Sequence, residues 1–187
     1  MPNGTTTLFY GMPINYEFKA RTNNLTDLEK KLAPYQPRFI GIDHQIDTYF
    51  NVAYGRMKLR EGNIENTLIH YQRSNTAGAK QSDVILYEHQ PHPLLKQLLL
   101  AALGEKVVVD KKRRIYFIDN VKFHFDEVQE LGCFVEVEAI DRDGSLGLEK
   151  LQEQCAFYAQ LFEITTADYE ATSYSDMLLL YKNKLPQ

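Results

Sequence analysis

Residues 14–21 read Ile-Asn-Tyr-Glu-Phe-Lys-Ala-Arg. Ile14, Tyr16, Phe18 and Ala20 fall on one parity, and Asn15, Glu17, Lys19 and Arg21 on the other. A strict period of two is the mark of a β-strand with one apolar and one polar face. The same rule carries through much of the chain. Arg38–Asn51 (RFIGIDHQIDTYFN) is rich in Ile, Tyr and Phe. GRMKLRE and NTLIHYQR flank the turn Glu61-Gly62-Asn63, and SDVILYEHQ makes a fifth strand. EKVVVDKKRRIYFI and VKFHFDEV are joined by Asp119-Asn120, a tight-hairpin pair, and Gly132 precedes CFVEVEAI.

Helical signals stand between and after these strands. Thr26 and Glu29 have the spacing of a capping box that opens LTDLEKKLAPY, which Pro34 and Pro37 stop. Pro93 occupies a first helical position, and LLKQLLLAAL runs to Gly104, predicting a mostly buried helix. Leu148, Leu151, Cys155, Tyr158 and Phe162 recur at spacings of three and four, and Asp176 opens a shorter helix, MLLLYK. The pattern predicts about eight strands and four helices in an α+β chain.

The chain's 187 residues suit one domain, at 44% hydrophobic and 25% charged. Residues 1–12 are polar and without period, so an N-terminal extension is expected there, followed by a domain over 13–187. A net charge of −4 and a pI near 5.7 argue against a broad nucleic-acid surface. No apolar run is long enough for a membrane span, and no secretory leader is recognisable. With two cysteines only, a reducing cytoplasm is the expected home. Cys133 and Cys155 lie on apolar faces and are expected as buried thiols.

The charged parities point toward function. Strand one offers Glu17 and Lys19; GRMKLRE puts Arg56, Lys58 and Arg60 together, and Arg73 ends the next strand. Lys111 with Arg113, Lys122 with His124 and Asp126, and Glu136 with Glu138 follow on later strands. Alternation alone favours an open sheet with its charges in water, because half-solvated antiparallel sheets are common. The alternative is a closed barrel with the charges inside and the helices outside. Carboxylates gather on the first and last strands and cations on those between, so closure would set an acidic cluster against a basic wall. Hard oxygen ligands suit Mg²⁺ or Mn²⁺, and several Lys and Arg side chains suit a polyphosphate.

Six blocks in order resemble the CYTH domain family (triphosphate tunnel metalloenzymes), in particular its bacterial, class IV adenylate cyclase-like branch. These are NYEFKAR, which resembles the ExExK signature, HQIDTYFN with GRMKLRE, HYQR, VVDKKRRIYF, VKFHFDEVQELGCFVEVEA and SYSDMLLLY. The resemblance implies a closed eight-stranded antiparallel barrel, the triphosphate tunnel, with helices packed outside. It implies that Glu17, Asp126, Glu136 and Glu138 hold Mg²⁺ or Mn²⁺. Lys19, Lys58, Arg60, Arg73, Lys111 and Arg113 would then grip the triphosphate, with Lys19, Asp126 and Arg113 at the reacting centre. Arg56 and Lys122 share the right parities for further lining.

Asn15 stands where the signature has its first glutamate, which implies a weaker second metal site or a changed metal preference. Two reactions fit the resemblance: cyclisation of ATP to cyclic AMP and pyrophosphate, or hydrolysis of tripolyphosphate, thiamine triphosphate or a nucleotide. A polyphosphate-binding module without catalysis is a third reading. A homodimer is compatible with the sequence, which does not fix the oligomeric state.

Overall fold

The computed structural model describes residues 14–72 and 83–183. Within these, eight strands form one antiparallel sheet: β1 (Ile14–Thr22), β2 (Arg38–Phe50), β3 (Arg56–Glu61), β4 (Thr67–Gln72), β5 (Asp83–Glu88), β6 (Glu105–Ile118), β7 (Val121–Val128) and β8 (Gly132–Asp141). Their order across the sheet is β1-β8-β7-β6-β2-β3-β4-β5. The helices are α1 (Leu25–Leu32), α2 (Pro93–Leu103), α3 (Gly147–Leu161) and α4 (Tyr174–Lys182). Asp119-Asn120 makes the expected hairpin, with Ile118 opposite Val121 and Asp119 at φ 48°.

The sheet curls strongly into a half-barrel and stays open, which corrects the closed barrel expected from the resemblance. The two edges, β1 and β5, do not pair. At β1 the cause is local. Its outer edge is taken by the segment before α4, where Arg21 N donates to Asp168 O at 2.8 Å, Glu170 N donates to Lys19 O at 2.8 Å, and Ala20 pairs with Tyr169. A backbone edge already hydrogen-bonded over Lys19–Arg21 cannot receive another strand there.

Curling gives the two parities different fates. The convex face is apolar: Phe18, Ala20, Val121, Phe123, Phe125, Val135, Val137 and Ala139 pack against Leu25, Leu28 and Leu32 of α1 and Leu151, Cys155 and Tyr158 of α3. A second convex cluster sets Leu99 of α2 on Phe50 and Leu59. Leu95, Leu100 and Leu103 of α2 are only partly buried beside Leu99, and Leu94 and Leu98 are 61% and 64% exposed, contrary to the mostly buried helix expected from its composition. An apolar helix stays uncovered where it reaches past the few side chains it sits on.

The helix α4 departs from the outside packing expected of the helices. Tyr174, Met177 and Leu178 pack on Tyr49, Val107, Val109, Val128 and Phe134. Tyr49 and Val107 are register partners, as are Asp47 and Val109, so these apolar residues share the face of Asp47 and Lys111. One end of the concave face is thus apolar, and α4 fills it.

Capping also differs in detail. Asn24, not Thr26, caps α1, its side chain accepting from Asp27 N at 3.2 Å. Ser173 caps α4, its Oγ accepting from Asp176 N at 3.1 Å, so the helix begins at Tyr174, two residues before the expected start. Cys155 is buried as expected, whereas Cys133 is only half-buried. Among the described residues no helix is long and apolar enough to cross a membrane.

Phe123 is wholly buried between Tyr158 and Phe162, with ring centroids 4.7 and 6.3 Å away. Phe123→Ala is expected to lower unfolding free energy by about 3–5 kcal/mol in urea titrations; an unchanged midpoint would refute the convex core.

Candidate functional site

The concave face carries two adjoining cavities. The smaller, about 190 Å³, is lined by Glu17 and Lys19 of β1, Asp47 of β2, Lys58 and Arg60 of β3, Lys111 and Arg113 of β6, and Glu136 and Glu138 of β8. The larger, about 1090 Å³, shares Glu17, Arg60, Arg113, Glu136 and Glu138 with it and widens away from α4. Five of the six expected phosphate-gripping residues therefore meet in one concavity. Arg73 lies outside the described residues.

The basic wall is organised around Asp47, a residue the charge pattern had not singled out. Its carboxylate accepts from Lys58 Nζ at 2.8 Å, Lys111 Nζ at 2.7 Å, and Arg60 Nε and Nη2 at 2.8 and 3.0 Å. Burial acts to raise the Asp47 carboxyl, but Arg60, Lys111 and Lys58 overcome it and hold it well below its ordinary value. The reverse holds for Lys111. Burial drives its ammonium down to about 7, and Asp47 offsets this only in part because Arg60, Arg113 and Lys58 oppose it. One carboxylate shared by three cations leaves surplus positive charge in a place with little water, which an anionic ligand would neutralise.

Arg113 ties the wall to the acids. Its Nε and Nη2 donate to Asp126 at 2.7 and 2.5 Å, and Nη2 also donates to Glu136 at 2.8 Å. Asp126 further accepts from Tyr174 Oη at 2.8 Å. Asp126 is fully buried and lines neither cavity, but Arg113 Nη2 joins it to Glu136, which does. Lys19 Nζ donates to Thr172 O and lies 4.5 Å from the centre of the Tyr174 ring. Arg56 turns to Asp176 at 2.6 Å and lines neither of these cavities; Lys122 lines the larger one and pairs with Glu65 at 2.7 Å.

Glu65, in the β3–β4 loop, was also unmarked by the strand pattern. It accepts from Arg60 Nη1 at 2.8 Å and Gln45 Nε2 at 3.0 Å, as well as from Lys122 across the concavity. Asp43 fixes this loop by accepting from Ile64 N and Glu65 N at 2.8 and 3.0 Å. Asp47 could have been found by extending the parity rule along β2, where Asp43, Gln45 and Asp47 alternate. Glu65 lies in a loop and offers no such signal.

The acidic side fits a small divalent cation in its chemistry. Glu17 and Glu138 are register partners on adjacent strands. Burial, then the Glu17 charge, pushes the Glu138 carboxyl up to about 7. Asn15 Nδ2 donates to Glu138 at 2.7 Å, while Asn15 Oδ1 is buried without a hydrogen-bond partner among the described residues. These are hard oxygen donors beside like charges that repel. No group of three acidic, histidine or cysteine side chains among the described residues forms a ready cage.

His124 lies on the far side of Glu136, with Nδ1 at 3.3 Å from its Oε2. Burial, then the Arg113 charge, lowers the imidazole to about 4.

A raised carboxyl has a definite sign in stability. The unfolded Glu138 ionises near 4.5 and the folded one near 7, so its contribution is full below 4.5 and is lost as pH rises through 7. In chelator-treated buffer the wild type should lose roughly 2 kcal/mol relative to Glu138→Gln between pH 4.5 and 7.5. Added Mg²⁺ should restore it. Parallel stability profiles for the two proteins would remove the acidic pair from this account.

The sequence matches the CYTH domain family over residues 13–174. No curated protein matches it. Among solved structures, the PH1012 protein from Pyrococcus horikoshii OT3 superposes with a TM-score of 0.74 at 22% identity, covering 87% of this chain and 98% of its own. A candidate adenylate cyclase from Vibrio parahaemolyticus gives 0.69 at 17% identity, covering 90% and 99%. A candidate adenylyl cyclase from Hippeastrum, reported with a dominant triphosphatase activity, gives 0.60 at 16% identity, covering 94% and 98%. At these identities the likeness is one of fold. Because the family match spans most of the sequence, the chain belongs to the CYTH domain family.

Proposed function

We propose that the chain is a divalent-metal-dependent enzyme acting on a triphosphate bound along the concave face. One observation carries this reading: three cations, Lys58, Arg60 and Lys111, converge on the Asp47 carboxylate, only Arg60 of them also reaching Glu65, while Glu17 and Glu138 repel each other side by side in the same concavity. A polyanion chelated to a cation satisfies both halves at once. The favoured reaction is that of class IV adenylate cyclases, in which the ribose 3′-oxygen attacks the α-phosphorus and pyrophosphate leaves. Hydrolysis of the same triphosphate is the second reading, favoured by the triphosphatase activity of the Hippeastrum protein, which shares the fold.

The roles follow from position. Lys58, Arg60 and Lys111 grip phosphate oxygens, and Lys19 and Arg113 close on them from the acidic side. Asp126 acts on Arg113, fixing its guanidinium through two hydrogen bonds, rather than as a ligand of the ion. Glu17, Glu136 and Glu138 with the Asn15 carbonyl would hold Mg²⁺ or Mn²⁺. Bound there, the ion supplies Lewis-acid neutralisation of the charge developing on the phosphoryl group and the leaving oxygen. The protein's own contribution is alignment of a flexible chain and a fixed field of buried cations.

The test is a parallel assay of purified protein with Mg²⁺ or Mn²⁺ and ATP, tripolyphosphate or thiamine triphosphate. Cyclic AMP identifies a cyclase and orthophosphate a hydrolase, whereas absence of both products with all three substrates sinks the enzyme reading. Lys111→Met removes a charged contact and should weaken triphosphate binding by roughly 10–100-fold. Wild-type affinity in that variant would exclude the basic wall.

A further inference from the structure

The chain around the start of α4 reaches the concave face at several of its charged groups. Thr172 O accepts from Lys19 Nζ, and Asp176 accepts from Arg56 Nη2 at 2.6 Å. Between them stands Tyr174, the first residue of α4 and 7% exposed. Its place is fixed from two directions. Ser173 caps the helix immediately before it, and its ring packs on Phe134 with centroids 4.9 Å apart. Phe134 is the register partner of Asp126 on the neighbouring strand, so this packing carries the phenol to the Asp126 carboxylate.

Tyr174 touches two separate arms of the site. Its Oη donates to Asp126 Oδ2 at 2.8 Å, and its ring centre lies 4.5 Å from Lys19 Nζ. The same Oδ2 accepts from Arg113 Nη2 at 2.5 Å, while Oδ1 accepts from Arg113 Nε at 2.7 Å. A guanidinium that forks a carboxylate follows the plane of that carboxylate. The plane turns easily about the Cβ–Cγ bond, because the torsion at an sp² carboxyl is broad. A hydrogen bond arriving from a third side, out of a capped helix, holds it. Asp126 is 0% exposed, so bulk water is not at hand to replace that bond. The phenol has one proton and gives it to Asp126, so it is no donor to phosphate even though Tyr174 lines the smaller cavity.

We propose that Tyr174 is a positioning residue of the triphosphate site, its hydroxyl aiming Arg113 through Asp126 and its ring holding Lys19. The proposal rests on the triphosphate reading above and deepens it. Two of the cations that meet the phosphates are set by one side chain of α4, which thereby belongs to the site as well as to the fold.

The test is a double-mutant cycle read by titration calorimetry of the full chain with Mg²⁺ and a methylene-bridged, cleavage-resistant tripolyphosphate. Tyr174→Phe keeps the ring and removes only the hydroxyl; it should weaken binding by about 3–10-fold. In an Arg113→Gln background, which keeps an N–H donor for Asp126, the same substitution should change affinity by less than about 2-fold. Tyr174→Leu, losing the ring as well, should bind about 3-fold more weakly than Tyr174→Phe. Leu178 is 2% exposed in the same apolar cluster, so Leu178→Ala loosens α4 through packing alone and should leave affinity within about 2-fold of wild type wherever circular dichroism shows it folded. If Arg113→Gln does not fold, the contrast between Tyr174→Phe and Leu178→Ala decides. An equal loss in both Arg113 backgrounds, no loss in Tyr174→Phe, or a loss of the same size in Leu178→Ala overturns the aiming of Arg113, and equal affinity of the two Tyr174 variants overturns the hold on Lys19. Failure of the wild type itself to bind would strike the triphosphate reading, and the positioning role with it.

Discussion

The structure depends on burying charge that has no complete internal partner. A curled sheet with an apolar convex face has to turn its other parity inward, and here that parity carries Lys, Arg and Glu. An isolated ion in such a place is expensive, and even a paired one gains little over well-packed apolar groups. The molecule tolerates its concave face because the charges are organised in shared sets: Asp47 among three cations, Arg113 between Asp126 and Glu136, Glu65 between Arg60 and Lys122. Each set is satisfied in its hydrogen bonds yet unbalanced in its net charge. The basic wall is left positive and the Glu17–Glu138 pair negative, and function is read from that residue.

Much of this architecture was legible because strand alternation is a local property. Val121, Phe123 and Phe125 against Lys122, His124 and Asp126 identify which side of β7 meets the core without any knowledge of its neighbours. Closure of the sheet is different. Whether β1 accepts β5 depends on what else competes for its edge, and the competitor, Asp168–Glu170, makes a single bridge and carries no strand pattern. The placement of α4 is non-local in the same sense. A short apolar helix fits either face of a curled sheet, and only Tyr49, Val107, Val109 and Phe134, apolar on an otherwise polar parity, attract it inward.

The site shows the same division. Lys19, Lys58, Arg60, Lys111 and Arg113 were found by parity, since strands project like parities into one space. Asp126 shares that parity, yet its proximity to Arg113 and Tyr174 removes it from the cavity walls. Glu65 reaches the concavity from a loop, where no periodicity exists to reveal it.

With α4 filling one end and the broad mouth at the other, the groove has a polarity. On the proposed reading, a triphosphate with one bulky terminus would fit it in a single sense, phosphates inward. Bond cleavage near the bulky terminus then leaves the smaller fragment deeper, with the larger one across its exit. On the proposed reading, departure would be sequential: the outer fragment would leave first, and the inner polyanion, facing the cations around Asp47, would follow. Turnover in such a groove would be governed by the inner fragment's grip, and excess pyrophosphate would compete with incoming substrate.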